Sequence, residues 1–208
     1  MPSICPKCHR VLEEDEICCA QIRYTWRCVS CFKLGTGSTV PYGKCFMCGG
    51  ELEMLPDRDM GDSMQLHSIH DAMQFQVDLF HFYRLAREKV TKPEQCLVLE
   101  YLYEVALDHL FELEEKYRAH LDQEMVDLAT DEEKRTTDWA CRGVEIREEL
   151  GVADLYRGAL EMERRARDHF HSLANEFPIR LEKELSRELA AEADEHISML
   201  ETELEQVA

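Results

Sequence analysis

Residues 153–176, ADLYRGALEMERRARDHFHSLANE, carry the periodicity that decides the fold. Tyr156, Ala159, Glu163, Phe170 and Leu173 fall on one stripe at the three- and four-residue spacing of an amphipathic helix. Gly158 inside that helix carries a small cost. Pro178 ends the helix, and another runs on to about Glu205. Leu185, Leu189, Glu192, His196 and Met199 keep its seam, which stops at Glu203. Glu163 stands out, because a carboxylate on an interior stripe is costly unless it has a partner.

The same grammar extends backwards. A first helix is predicted from about Gly61 to Val90, with Ile69, Met73, Gln76, Phe80 and Tyr83 facing inward. Thr91-Lys92-Pro93-Glu94 offers an N-cap threonine, a proline in the first turn and a glutamate three residues past the cap. The second helix then continues to about Leu128. Thr130-Asp131-Glu132-Glu133 offers another cap, for a short helix stopping near Gly151. The connection of about Ala129–Val152 is too long for a hairpin turn, so four long helices with a crossover are expected. Residues 56–208 form this helical domain.

Residues 1–55 read differently. Eight of the ten cysteines lie there, among glycines, prolines and scattered apolar residues that suit short strands. Three CxxC turns stand in order: Cys5 with Cys8, Cys28 with Cys31, and Cys45 with Cys48. Cys18 and Cys19 lie between the first two. A CxxC turn brings two thiolates to one ion, and two such turns complete a tetrahedral site for zinc or a single iron. About 50 residues cannot bury enough apolar surface to fold without such a staple. All eight cysteines are therefore candidate ligands, enough for two ions. One pairing joins the second and third turns and leaves Cys5, Cys8, Cys18 and Cys19 as a second set. The other joins Cys5 and Cys8 with Cys28 and Cys31. His9 after Cys8 also matches a covalent haem attachment string, against which the neighbouring knuckles speak. Cys96 and Cys141 read as ordinary half-buried or buried thiols.

Residues 1–55 hold six basic and six acidic side chains, so the net charge of −19 belongs to the remainder. Such a surface argues against nucleic acid and anionic membranes as partners. No run approaches the roughly 18 apolar residues of a membrane helix. The start lacks the pattern of a signal peptide, and a cytoplasmic location is expected, where clustered thiols are metal ligands rather than disulfides.

The stretch Trp26-Arg27-Cys28-Val29-Ser30-Cys31-Phe32 … Cys45-Phe46-Met47-Cys48-Gly49-Gly50 resembles a rubredoxin knuckle pair, with Phe32 and Lys33 where glycine is usual. The helical domain resembles the ferritin-like domain of rubrerythrins. The resemblance implies a mainly α fold: a ferritin-like four-helix bundle with a long crossover, preceded by a small β-rich cysteine-knuckle module. Two helices of such a bundle each give a Glu, and the other two each give Glu-x-x-His. Glu163, seven residues before Phe170, matches one single-Glu position, and Gln76, seven before Tyr83, stands at the other. Both Glu-x-x-His sites read Ala-x-x-His, as Ala106 with His109 and Ala193 with His196. Glu192 on the seam is a substitute carboxylate beside His196. The candidate interior site is thus Gln76, His109, Glu163, Glu192 and His196, poor in charge for a di-iron centre, and no residue reads as catalytic.

Three functions follow from these readings: a redox protein passing electrons or reducing peroxide, a zinc-stapled interaction scaffold, or a haem or small-molecule binder using His109 and His196. A homodimer is expected, because Leu97, Leu99, Tyr101, Tyr103, Leu107, Leu110 and Phe111 spread round the second helix and need cover from the head, the crossover or another subunit; a protein partner is a further expectation. His67, His70, His81, His120, His169 and His171 are expected at the surface.

Overall fold

A computed structural model describes residues 3–4, 11–12, 24–37, 43–56, 60–130 and 138–207. The chain divides into two compact units, Met1–Asp59 and Met60–Ala208.

In the first unit, β1 (Ser3–Ile4) and β2 (Val11–Leu12) pair antiparallel. A three-stranded antiparallel sheet follows, with β3 (Tyr24–Cys28) between β4 (Leu34–Gly37) and β5 (Leu52–Leu55). The central strand is Tyr-Thr-Trp-Arg-Cys, rich in the aromatic and β-branched residues that suit a pleated surface. Trp26 stands opposite Gly35, and a β-carbon there would lie 2.5 Å from the Trp26 indole nitrogen. Glycine lets the ring lie across β4. Among the described residues the buried apolar set of this unit is Cys28, Leu34 and Cys45.

The second unit is mainly helical. Its described helices are α1 (His67–Glu88), α2 (Pro93–Tyr117), α3 (Gln123–Thr130), α4 (Asp138–Cys141), α5 (Val152–Glu176) and α6 (Arg180–Val207). α1 packs along α2 and α5 along α6, with α1 also against α6 and α2 against α5. The predicted stripes face inward: Tyr156, Ala159, Glu163, Phe170 and Leu173 on α5 are buried, as are Leu185, Leu189, Glu192 and His196 on α6. The seam of α6 departs at its end, where Met199 is 46% exposed and Leu200 is buried instead.

Helix boundaries differ from the sequence reading at four places. α1 starts at His67, after a single 3-10 turn at Ser63–Gln65. Leu66 at its N-cap offers no side chain, and Glu182 of α6 supplies the acceptor. Its carboxylate accepts from His67 N at 2.8 Å, Ser68 N at 3.2 Å and Ser68 Oγ at 2.7 Å. A negative charge there also meets the positive end of the helix dipole. α2 ends at Tyr117 rather than near Leu128, because Arg118 turns left-handed at φ 55° and α3 starts separately. Thr91 does not cap α2: Lys92 holds that position, and Thr91 gives its hydroxyl to the Glu148 carboxylate at 2.6 Å. The short helix predicted before Gly151 is the four-residue α4, which stops at Cys141. Thr130, the predicted cap, is the last residue of α3, and the rest of that box, residues 131–133, lies outside the described residues.

The long connection into α5 is held at both ends. Arg165 Nη1 donates to the carbonyls of Ala140 and Arg142 at 3.0 and 2.7 Å. Gln95 Nε2 donates to those of Glu148 and Leu150 at 3.1 and 2.5 Å. Gly158 earns its place here, since a β-carbon on it would lie 3.1 Å from Val144 Cγ1.

Candidate metal centre

The end of β3 delivers Cys28 into a turn in which Phe32 N donates to Cys28 O at 3.0 Å and Cys28 N to Lys33 O at 3.0 Å. The second knuckle repeats the pattern, with Gly49 N donating to Cys45 O at 2.8 Å and Cys45 N to Gly50 O at 2.8 Å. Both turns need a left-handed residue after the second cysteine. Gly49 takes it at φ 73°, and Phe32 takes it at φ 66°, where a side chain is strained. The Arg27 guanidinium, 5.2 Å from the Phe32 ring centre, offsets part of that cost and is itself held by Glu53 at 2.8 Å. Gly50 has a steric reason as well: a β-carbon there would lie 2.8 Å from Cys28 Sγ.

The two turns bring Cys28, Cys31, Cys45 and Cys48 together, every sulfur within 4.8 Å of the others. Cys28 Sγ lies 3.5 Å from Cys48 Sγ, and Cys31 Sγ 3.7 Å from Cys45 Sγ. A tetrahedral ion with metal–sulfur bonds of about 2.3 Å requires edges of about 3.8 Å, so the four sulfurs fit one zinc or one iron. Of the two pairings open in the sequence, this is the one joining the second and third knuckles. Cys5, Cys8, Cys18 and Cys19 lie outside the described residues.

The local field suits a thiolate. Burial works against ionisation of Cys28, but backbone donors from Cys31 and Ser30 and the neighbouring thiols bring it down to about 7. Ser30 N donates to its sulfur at 3.4 Å. Burial pushes Cys31 up to about 12, and the other sulfurs add to that because one anion resists another. A divalent cation would reverse the second effect.

The interior of the helical unit is arranged differently. Gln76, Glu163, Glu192 and His196 are buried and His109 is half-buried, all round one polar layer. His196 Nδ1 lies 3.4 Å from Glu163 Oε2. The His109 and His196 rings stack at 3.7 Å with 6° between planes, leaving no space for a porphyrin between them. Gln76 Oε1 has no hydrogen-bond partner among the described residues. Two cavities of about 30 Å³ flank the layer, one lined by Ala193 and the other by Ala106. Each has room for about two waters. Among the described residues, the four cysteines are the only group of three or more potential ligands within 4.8 Å of one another.

Lys116 was not among the candidates read from the sequence. Its ammonium lies 3.0 Å from Glu192 and 2.8 Å from Glu112, and it lines the same cavity as Glu163 and His196. Burial opposes its charge, but the two carboxylates outweigh burial and raise its pKa. The signal was in the sequence: Lys116 stands seven residues after His109, on the same helix face. The layer thus sets Glu163 beside His196 and pairs Glu192 with Lys116.

The remaining candidates divide. Cys141 is buried and Cys96 half-buried. His67, His120 and His171 are exposed, and His70 and His169 are half-buried. His81 corrects the surface expectation: it is buried beside fully buried Asp78, and Arg84 Nη2 lies 3.3 Å from its ring. Of the apolar side chains on α2, Leu99 and Leu110 are buried, while Leu97, Tyr101 and Phe111 are exposed. No described helix is long and apolar enough to cross a membrane. Comparisons with models of protein families, with curated proteins and with solved structures find no match to this chain.

Proposed function

We propose that this chain is a metal-binding protein of rubrerythrin-like design, in which the cysteine knuckles hold the metal and the helical domain serves as a ferritin-like four-helix bundle without a di-iron centre. The observation that supports it most is the set of four sulfurs at tetrahedral spacing. Zinc would make the centre a staple for this small unit; iron would make it a one-electron carrier. Electron delivery to a peroxide-reducing site would need a second metal inside the bundle. Against that stand Ala106 and Ala193 beside small cavities, and Lys116 already neutralising Glu192. A zinc-stapled scaffold is therefore the preferred reading.

Elemental analysis of protein from its native host, with an absorption spectrum, tests both halves. One zinc per knuckle pair and a colourless solution are expected. A red iron–thiolate spectrum would transfer the reading to electron transfer. Two carboxylate-bridged ions in the bundle would overturn it. Glu163→Gln should change neither metal content nor melting temperature greatly, because the shape is kept and a buried charge removed. Metal lost on Glu163→Ala would count against a metal-free bundle.

A further inference from the structure

α2 has two seams. The inner one, with Leu99, Leu102, Ala106, Leu110, Leu113 and Tyr117, is buried against the rest of the unit. The outer one runs Leu97, Tyr101, Glu104, Asp108 and Phe111 at alternating spacings of four and three, and all five side chains are exposed. Leu97 is 67% exposed, Phe111 56% and Tyr101 38%. Met199 of α6, 46% exposed, lines the same cavity as Tyr101 and widens the apolar end of the seam. A four-three repeat is the spacing with which one helix receives another. The only lysine or arginine of α2, Lys116, points into the interior cavity.

The charge pattern selects the occupant. If two copies paired through this seam in parallel, Glu104 would face Glu104 and Asp108 would face Asp108. Pairing antiparallel about Glu104 would again set Glu104 against Glu104, with each Asp108 one turn away opposite Tyr101. Like charges so placed repel, which disfavours a second copy on this face relative to a partner that brings basic residues. A helix that meets Leu97, Tyr101 and Phe111 with apolar residues and Glu104 and Asp108 with Lys or Arg satisfies every position.

We propose that the outer seam of α2 is a docking site for an amphipathic helix of a partner protein, with two consecutive basic residues in the middle of its apolar seam. The apolar ends supply the affinity. The two carboxylates set register and select the partner.

The test uses the full chain and two labelled helical peptides of about three heptads, whose seams read Leu-Leu-Lys-Lys-Leu and its reverse, so that both orientations are covered. Fluorescence anisotropy should show one of them binding with a dissociation constant of roughly tens of micromolar, weakened by salt. Leu97→Ala and Phe111→Ala, both exposed and harmless to folding, should each weaken it roughly tenfold. The double variant Glu104→Lys/Asp108→Lys should lose the lysine peptide and gain one with Glu-Glu at its centre. The inference is overturned if neither lysine peptide binds at about 1 mM, or if the glutamate peptide binds the parent equally well. It is overturned too if sedimentation finds a dimer that Leu97→Glu dissolves, since a second copy would then occupy the face.

Discussion

Replacing Lys116 with methionine tests the interior layer most directly. Lys116 and Glu192 stand 3.0 Å apart, each with 11% of its side chain exposed. At an effective dielectric of about 20, two unit charges at that distance attract by about 5 to 6 kcal/mol, and desolvation of both cancels much of this. Deleting one partner of a well-buried pair costs about 3 to 5 kcal/mol, because the other charge is left stranded. Glu112, the second partner, is 55% exposed and loses little, so Lys116→Met should cost about 3 kcal/mol. That corresponds to a melting temperature lower by roughly 6–12 °C for a chain of this size. Lys116→Met with Glu192→Gln removes both charges and should recover about 2 kcal/mol of the loss. Urea unfolding followed by circular dichroism measures all three variants. The single variant also leaves Glu192 without its cation, beside Glu163 and His196, so the layer should take up cobalt beyond what the cysteines hold. The raised Lys116 pKa keeps its ammonium charged at neutral pH. Its contribution is complete below the unfolded lysine value of about 10.4 and fades only as pH rises through the higher folded value. A single variant as stable as its parent, with no added metal uptake, would refute the view of Lys116 as the counter-ion of this layer.

Three further outcomes are expected. Cys28→Ser should abolish metal binding at the knuckle pair and unfold the first unit, and strong chelation of the parent should do the same; a unit that keeps its circular dichroism without metal would contradict the staple. Phe32→Gly should be more stable than Phe32→Ala by about 1 kcal/mol, because alanine keeps the left-handed strain while losing the same ring; equal midpoints in guanidinium would show the strain to be absent. Glu182→Ala should cost about 2 to 3 kcal/mol, since it strips the start of α1 of three hydrogen bonds, and hydrogen exchange at His67 and Ser68 should quicken before that of the helix centre; unchanged protection there would mean water replaces the carboxylate.

The sequence by itself determined what depends on spacing along the chain. Helix faces follow from a 3.6-residue period, so the burial of Glu163, Glu192 and His196 was legible before any contact was known. Each CxxC turn closes locally, and knuckle chemistry was legible for the same reason. Tertiary structure decided whatever depends on which elements meet. It joined the second knuckle to the third, since spacing allowed two pairings and only the register of β3 against β5 selects one. It placed Lys116 between Glu112 and Glu192, which are on different helices. It ended α2 at Arg118 and capped α1 from α6 through Glu182, overriding local signals at Thr91 and beyond Tyr117. A cap or an ion pair formed across a long stretch of chain has no period to announce it. It exists only once packing has fixed the distance, as it has between Lys116 and Glu192.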